Sequence, residues 1–265
     1  MDLELEAGSR AHYEDPAYYT QTYRTRIHDV AFYVERALSQ GGPVLEYGLG
    51  NGRIALPLAR HGISVTGVDH SSAMLADLAG RLRDEPKDVQ RRLRVVKGDM
   101  RTVRVRKRFP LVFCTFNTAL HLYTRVDVEA FLDGVRAHLA PGGRFVVDLS
   151  IPVAEDLARD PSHAYGAPRF RHPTLGVVRY REHFDYDRLR QVLFVSMLMR
   201  AEGQADDVMV PLAHRQFYPQ EWEALLHYNG FDVVHTYGDF TKGPLTRESD
   251  VMVFEAKLRP RRARP

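Results

Sequence analysis

The amino-acid sequence predicts an α/β fold in which helices cover both faces of a mostly parallel sheet. Between residues 43 and 150, short apolar runs rich in β-branched residues alternate with longer helical patterns, an order typical of βαβ units. A glycine-rich loop follows the first of these runs. After Ser150 the pattern changes to strand-like runs joined by polar turns, which predicts an antiparallel β insertion after the fifth strand.

The elements of the first half each have a local signal. Strands are predicted at residues 43–47, 63–69, 93–97, 111–116 and 144–149. A helix is predicted over 52–60, where an apolar stripe persists despite Pro57, and a second runs from a cap at Ser71 or Ser72 to about residue 83. The turn Pro141-Gly142-Gly143 is expected immediately before the fifth strand.

The second half predicts the insertion and the end of the sheet. A proline-punctuated, loop-rich stretch from Pro152 to Pro173 precedes insertion strands at 177–184, 192–199 and 208–216, with turns at 185–187 and 202–204. A helix over 219–229 ends at Gly230, which suits a left-handed position after a helix. Strands at 231–237 and 251–256 complete a Rossmann-like sheet of seven strands.

The composition indicates a globular protein. Hydrophobic residues make up 44% of the chain and charged residues 27%. No apolar run reaches the roughly 18 residues of a membrane span, the acidic start lacks signal-peptide features, and the single Cys114 fits a reduced setting. We therefore expect a cytoplasmic protein with one domain over residues 1–258. Its parts are lid helices (1–40), a core (41–150), an antiparallel platform (151–217), and a final helix and strands (218–258), followed by a basic flexible tail (259–265).

Carboxylates follow three of the predicted parallel strands. Glu46 ends the first strand, before a loop with alternate glycines at Gly48, Gly50 and Gly52. The glycine spacing is neither the G-x-G-x-x-G of dinucleotide folds nor a P-loop. Asp69 ends the second strand, where an acid can accept from ribose hydroxyls or cap a helix, and Asp99 follows the third, where it can accept from an adenine amino group.

Five segments in this order resemble the class I S-adenosylmethionine (SAM)-dependent methyltransferase superfamily: EYGLGNG at 46–52, GVDHSSAML at 67–75, VVKGDM at 95–100, FCTFNTALHL at 113–122 and LAPGGRFVVDL at 139–149. The resemblance implies that the three glycines surround the methionine part of SAM, with Glu46 near its amino group. It implies Asp69 at the ribose and Asp99 with Met100 at the adenine. The remaining cofactor contacts predicted in the matching segments are His70, Met74 and Phe116.

Methyl transfer from a sulfonium depends mainly on alignment, and needs a base only where the acceptor loses a proton. His121 follows the fourth strand and is the best base candidate, with a purely positioning role as the alternative. The run Tyr23-Arg24-x-Arg26-x-x-Asp29 resembles the start of bacterial amino-sugar N-methyltransferases, in which an N-terminal helix closes over SAM. By that resemblance Tyr23 and Arg26 contact the methionine end, and Tyr18 or Tyr19 lines the methyl; ordinary helix packing is the alternative.

The leading hypothesis is a methyltransferase acting on a nitrogen or oxygen of a small molecule, such as an amino sugar in natural-product biosynthesis. An RNA methyltransferase is the second hypothesis, based on the basic stretch 81–108, but the Asp/Asn-Pro-Pro-Tyr/Phe motif is absent and no nucleic-acid-binding module is visible. A non-catalytic SAM-binding protein is the third. We expect no metal, because Asn117, Thr118 and Asp148 make a poor ligand set, and no membrane partner; the platform makes a homodimer reasonable.

Overall fold

The computed structural model describes residues 2–260, which form two compact units. The first, here called the platform unit, contains the residues up to Arg26 and Pro152–Gln216. The second, the sheet unit, contains Ile27–Ile151 and the residues from Phe217 onward. A single domain over 1–258 stays a prediction. Most of the predicted tail lies outside the described residues, although Arg259 is described and its guanidinium pairs with Asp232 at 2.9 Å.

The helices and strands have the following bounds. The helices are α1 (Leu3–Arg10), α2 (Pro16–Tyr23), α3 (His28–Gln40), α4 (Ala55–Arg60), α5 (Ser72–Arg83), α6 (Lys87–Arg92), α7 (Arg125–His138), α8 (Ala154–Leu157) and α9 (Pro219–Tyr228). The strands are β1 (Val44–Tyr47), β2 (Val65–Asp69), β3 (Leu93–Lys97), β4 (Phe109–Cys114), β5 (Leu139–Ser150), β6 (Tyr165–His172), β7 (Gly176–Asp187), β8 (Val192–Ala201), β9 (Val208–Arg215), β10 (Phe231–Tyr237) and β11 (Val251–Leu258). Two short 3₁₀ helices cover Ala11–Tyr13 and Thr118–His121.

The sheet unit contains the predicted seven-stranded sheet, in the order β10-β11-β5-β4-β1-β2-β3. The pairs among β5, β4, β1, β2 and β3 are parallel, whereas β11 is antiparallel to both of its neighbours. Because β1 lies between β2 and β4, the strand order reverses there, and the loops after the carboxyl ends diverge into a crevice. The Rossmann-like α/β prediction is confirmed.

Helices cover both faces of this sheet. Alternate residues of a strand point to opposite faces, and β1 shows the pattern: Leu45 and Tyr47 join one core cluster, and Val44 joins the other. The first cluster includes Phe131 of α7, together with residues of α9, and the second is filled by residues of α3, α4 and α5. Burying both faces fixes the register of β1, and so fixes the loop that follows it.

Among the predicted elements of the sheet unit, three show the largest differences from their predictions. β4 ends at Cys114 and not at residue 116, because Phe116 and Asn117 have φ of +53° and +64° and cannot extend a strand. α4 begins at Ala55 rather than at Gly52, whose φ is +83°. The Pro-Gly-Gly turn lies inside β5, where the pairing with β4 jumps from Phe109–Leu139 to Leu111–Arg144.

The platform unit is a four-stranded antiparallel sheet, in the order β6-β7-β8-β9, with α1 and α2. α1 comes close to β9: a Cβ added at Gly8 would lie 2.5 Å from Cβ of Ala213. The loop predicted around Pro168 is wrong, since β6 runs through it; an edge strand tolerates proline, and the pairing with β7 shifts there. The turn predicted at 185–187 is also wrong, because those residues pair with β8 and the chain turns after Asp187.

Within residues 2–260, no helix combines the length and apolar character needed to cross a membrane.

Candidate functional site

The loop between β1 and α4 is shaped by three glycines in the left-handed region. Their φ angles are +74° at Gly48, +54° at Gly50 and +83° at Gly52. We expected glycines because a ligand approaches closely, but two of them are also required by the protein itself. A Cβ at Gly48 would lie 2.2 Å from Oγ1 of Thr118, and one at Gly52 would lie 2.6 Å from Cδ1 of Leu78.

Glu46 is a buried carboxylate at the end of β1, with 1% of its surface exposed. Its Oε1 accepts from the Thr115 hydroxyl at 3.3 Å, whereas Oε2 is buried and has no hydrogen-bond partner among the described residues. Burial raises the pKa of Glu46 to about 8, against the opposing effect of the nearby Arg53 guanidinium. An unpaired buried carboxylate oxygen is costly, so this atom is a ready acceptor for an incoming donor such as an ammonium group.

Asp69 ends β2 and links the glycine loop to α5. Oδ2 accepts from the backbone N–H of Gly50 at 2.7 Å, and Oδ1 accepts from the N–H of Ser71 at 2.8 Å. Ser71 is the N-cap of α5 and accepts from the N–H of Met74. A carboxylate has about four acceptor positions, so Asp69 can hold this turn and still accept from ribose hydroxyls. The residue that caps α5 is Ser71, and this leaves the ribose as the ligand expected for Asp69.

Asp99 lies in the turn after β3, where its carboxylate accepts hydrogen bonds from Arg101. The guanidinium donates to both oxygens of Asp99, with Nη2 to Oδ2 at 2.6 Å, and reaches Asp127 at 2.7 Å. These hydrogen bonds lower the pKa of Asp99, so the carboxylate is ionised at neutral pH. Met100 packs against the first core cluster. Contact of Asp99 and Met100 with an adenine stays a prediction, as it does for His70 and the buried Met74.

The turn after β4 is strained and held in place by buried groups. Two successive non-glycine residues, Phe116 and Asn117, have left-handed backbones, which costs about 1–3 kcal/mol for each residue. Asp148, at 3% exposure, accepts from the N–H of Phe116 at 2.9 Å and from the hydroxyl of Tyr33 at 2.5 Å. The side-chain amide of Asn117 makes two hydrogen bonds to Ser150. Its Oδ1 accepts from the backbone N–H of Ser150, and its Nδ2 donates to the Ser150 hydroxyl oxygen. Such strain indicates a functional turn.

An ion pair between the buried Asp29 and the partly buried Arg53 lies beside this turn. Arg53 donates to Asp29 through Nη1 at 2.9 Å and Nη2 at 2.5 Å, and its guanidinium carbon is 4.3 Å from the centre of the Phe116 ring. Burial raises the pKa of Asp148 to about 6, although its hydrogen bonds from Tyr33 and Phe116 oppose the rise. Arg53, Tyr33 and Asp148 could not be predicted as residues of this site from the sequence, because only the tertiary fold brings α3, the glycine loop and β5 together.

His121 ends the 3₁₀ helix that follows the strained turn. Its Nδ1 lies 3.2 Å from the hydroxyl of Tyr123, and the two rings meet edge to face. Thr118, in the first turn of the same 3₁₀ helix, packs over Gly48. The helix therefore ties His121 to the glycine loop of the same unit, but its role as base or positioning group stays a prediction.

The predicted N-terminal residues Tyr18, Tyr19, Tyr23 and Arg26 all lie in the platform unit. Tyr18 and Tyr19 are buried, and Tyr18 stacks on the ring of His172 with centroids 4.9 Å apart. The guanidinium of Arg26 lies 5.8 Å from the ring centre of Tyr23. Contacts of these four residues with SAM or with the methyl group stay predictions.

In the described part of the chain, no group of three or more His, Cys, Asp or Glu side chains is arranged to hold a metal ion.

Comparison with known proteins identifies a methyltransferase framework. Residues 44–143 match the family described as a methyltransferase domain. An N,N-dimethyltransferase of dTDP-3-amino-3,6-dideoxy-alpha-D-glucopyranose from Streptomyces fradiae is 30% identical over 126 residues, 48% of this chain and 46% of that enzyme. The chain thus spans less than half the length of the curated relatives it matches.

Solved structures match over a larger part of the chain. The CcbJ methyltransferase from Streptomyces caelestis aligns with a TM-score of 0.77 and 25% identity, covering 95% of this chain and 99% of that one. The glycopeptide N-methyltransferase MtfA complexed with SAM aligns with a TM-score of 0.62 and 25% identity, covering 87% of each chain. Together with the glycine loop and the acids after β1, β2 and β3, these matches show that the chain is similar in sequence and fold to class I SAM-dependent methyltransferases.

Proposed function

We propose that this protein transfers a methyl group from SAM to a nitrogen of a small molecule, such as the amino group of a sugar in a natural-product pathway. The observation that carries the proposal is Glu46, which lies beside the glycine loop at the carboxyl edge of the sheet. Its buried Oε2 has no hydrogen-bond partner within residues 2–260. This atom fits the amino group of a methionine moiety, because a charge-assisted hydrogen bond would satisfy it.

The other contacts proposed with SAM rest on the positions of the residues after β2 and β3 and on the family resemblance. Asp69 would accept from the ribose hydroxyls with the lone pairs that the Gly50 and Ser71 amides leave. Asp99, with Met100, would receive the adenine. Tyr23 and Arg26 would bind the methionine carboxylate, a role that rests on the resemblance to amino-sugar N-methyltransferases.

When bound, SAM supplies a methyl group on a positively charged sulfur, open to in-line displacement by a nucleophile. The chain has to align the acceptor and remove its proton. His121 is the residue for proton transfer, either as a base or as a group that holds the acceptor nitrogen in its neutral form. Tyr18 or Tyr19 would line the methyl through a ring face, which interacts favourably with positive charge.

Nitrogen is favoured over oxygen because two of the similar proteins are described as N-methyltransferases. They are the amino-sugar N,N-dimethyltransferase from Streptomyces fradiae and the glycopeptide N-methyltransferase MtfA. In the basic stretch behind the RNA alternative, part of the positive charge is balanced within the fold, because Arg92 pairs with Asp88, and Arg101 with Asp99 and Asp127. A homodimer and a cytoplasmic location stay predictions.

A matched pair of acceptors tests the proposal. The protein is incubated with SAM and either dTDP-3-amino-3,6-dideoxyglucose or the same sugar with a 3-hydroxyl, and S-adenosylhomocysteine (SAH) and methylated product are measured by mass spectrometry. We expect turnover of the amino sugar or of related amines, and none of the hydroxy sugar. Turnover of the hydroxy sugar alone would contradict nitrogen transfer, and methylation of added RNA alone would contradict a small-molecule acceptor.

A further inference from the structure

Glu46 is a buried acid with little to stabilise a negative charge in the free protein. Oε1 accepts one hydrogen bond, from the Thr115 hydroxyl at 3.3 Å, and Oε2 has no hydrogen-bond partner within the part of the chain that the structure describes. The guanidinium of Arg53 attracts the carboxylate electrostatically, but both of its terminal nitrogens donate to Asp29. The positive charge of Arg53 is therefore shared with a second carboxylate.

Two further titratable groups lie close enough to act on Glu46, one from each neighbouring strand. Asp69, at the end of β2, opposes a negative charge on Glu46. Cys114, at the end of β4, is fully buried, and burial together with the acids Asp148 and Glu46 raises the pKa of its thiol. The thiol therefore stays neutral at neutral pH. Of the charged groups around Glu46, Arg53 favours ionisation and Asp69 opposes it.

Elementary electrostatics predicts that Glu46 is neutral in the free protein. A carboxylate with only 1% of its surface exposed loses its hydration, and it stays charged only where a paired cation or several hydrogen bonds replace the water. Glu46 has one hydrogen bond and a shared cation. Burial accordingly raises the pKa of Glu46 to about 8, so at pH 7 most molecules of the free protein carry a proton on this group.

An ammonium group at Oε2 would reverse this preference. It supplies donors to the unpaired oxygen and a positive charge beside it, and both stabilise the carboxylate relative to the acid. In the proposed function this group is the amino group of the methionine moiety. The ammonium nitrogen already holds all the hydrogens that it can carry, so it cannot take the Glu46 proton. That proton has to leave to solvent.

We propose that Glu46 gives up a proton to solvent when the site binds SAM or SAH, so that the ammonium group of the ligand replaces this proton as the partner of the carboxylate. The O–H bond of Glu46 breaks, the proton passes to the buffer, and an ion pair with the ammonium forms at Oε2. The exchange rests on the proposed function, because it needs the methionine amino group beside Glu46. Cofactor affinity then depends on pH through one buried acid.

The sign of this pH dependence follows from linkage. Below the pKa of Glu46 in the free protein, each binding event has to displace a proton, so affinity rises with pH; above that pKa the acid is already ionised and the rise ends. With a pKa of about 8, the dissociation constant of SAH should fall about tenfold between pH 6 and pH 7. Both pH values lie below the usual pKa of an α-amino group, so the ligand stays charged.

Calorimetric titration with SAH in two buffers of different ionisation enthalpy, such as phosphate and Tris, counts the protons released. At pH 7 the wild-type protein should release close to one proton per SAH bound, and its dissociation constant should be about tenfold smaller than at pH 6. Glu46→Gln should release almost none and bind SAH equally at both pH values, because an amide does not ionise. Glu35→Gln is the matched control: Glu35 forms an exposed ion pair with Lys242, and its loss should leave the proton release as in the wild type.

Binding of SAH to the wild-type protein without proton release, or with equal affinity at both pH values, would overturn the exchange and leave the proposed function standing. Proton release that persists in Glu46→Gln would assign the proton to another group, and would overturn the exchange as well. A wild-type protein that does not bind SAH at either pH contradicts the proposed function itself.

Infrared spectra read the protonation of Glu46 directly, and they also serve if Glu46→Gln does not fold. In protein labelled with ¹³C at the carboxyl carbon of glutamate, the label separates glutamate bands from those of the buried Asp148. The difference between SAH-bound and free wild-type protein then shows the change in charge. Loss of the protonated-carboxyl band and gain of the carboxylate band are expected at pH 7. A protonated-carboxyl band that SAH leaves unchanged would overturn the exchange.

Discussion

Replacement of Glu46 by glutamine should raise stability and lower cofactor affinity at the same time. In the folded protein, burial raises the pKa of Glu46 from 4.5 to about 8. In the unfolded chain the carboxyl ionises at its usual pKa, so between these two values the folded state binds the extra proton. Stability therefore falls as pH rises from about 4.5 to about 8, and becomes independent of this group above that range. The glutamine side chain has nearly the same shape as glutamate but does not ionise.

The magnitude follows from linkage. Between pH 6 and pH 8 the wild-type protein should lose about 2 kcal/mol of unfolding free energy relative to Glu46→Gln. For a chain of this size, the difference in Tm between Glu46→Gln and the wild type should therefore be roughly 4–8 °C larger at pH 8 than at pH 6. Affinity changes in the opposite sense, because an amide cannot replace a carboxylate opposite an ammonium group: SAH should bind about 10- to 100-fold more weakly.

The assay is thermal unfolding of both proteins at pH 6 and pH 8, together with calorimetric titration by SAH. Glu35→Gln serves as a control, since Glu35 forms an exposed ion pair with Lys242. The difference in Tm between Glu35→Gln and the wild type should be the same at both pH values. A gap that stays constant for Glu46→Gln would show that Glu46 is ionised throughout and refute the burial argument. Unchanged SAH affinity would refute the assignment of Oε2 to the cofactor.

Three further changes test the glycine loop and the strained turn. Gly48→Ala combines a φ of +74° with a clash against Thr118, so we expect a loss of at least about 2 kcal/mol by thermal unfolding; an unchanged Tm would contradict the close packing. Tyr33→Phe removes the hydroxyl that Asp148 accepts and should cost about 1–3 kcal/mol by urea unfolding, and a loss near zero would show that the bond contributes nothing. His121→Gln should lower kcat about 100-fold or more and flatten its pH profile if the imidazole is the base, whereas an unchanged profile shape identifies a positioning role.

The α/β sheet could be predicted because its signals are local. The apolar runs of β1 to β5 and the cap at Ser71 depend on residues close in sequence, and the structure places them nearly as predicted. The errors lie where tertiary pairing overrides local preference. Pro168 indicates a loop, yet β6 is an edge strand that can lose a donor. Thr115 and Phe116, which follow β4, are residue types that favour strands, although the backbone turns there.

The candidate site divides in the same way. Glu46, Asp69 and the glycines could be found because they follow strands at fixed spacing. The groups that hold the strained turn could not: Tyr33 and Asp148 are 115 positions apart in the chain and meet only across the folded sheet unit. Arg53 was visible merely as a departure from the dinucleotide pattern, and its pairing with Asp29 required the packing of α3.

In the proposed reaction, a methyl group passes from SAM to a small molecule at this site. Its most direct test uses SAM labelled in the methyl group, incubated with the protein and an extract of its source organism, with the label followed into small-molecule, RNA and protein fractions. We expect label in the small-molecule fraction of the wild-type protein, and no label there with Asp69→Ala. Label confined to RNA or protein, or label that persists in small molecules with Asp69→Ala, would contradict it.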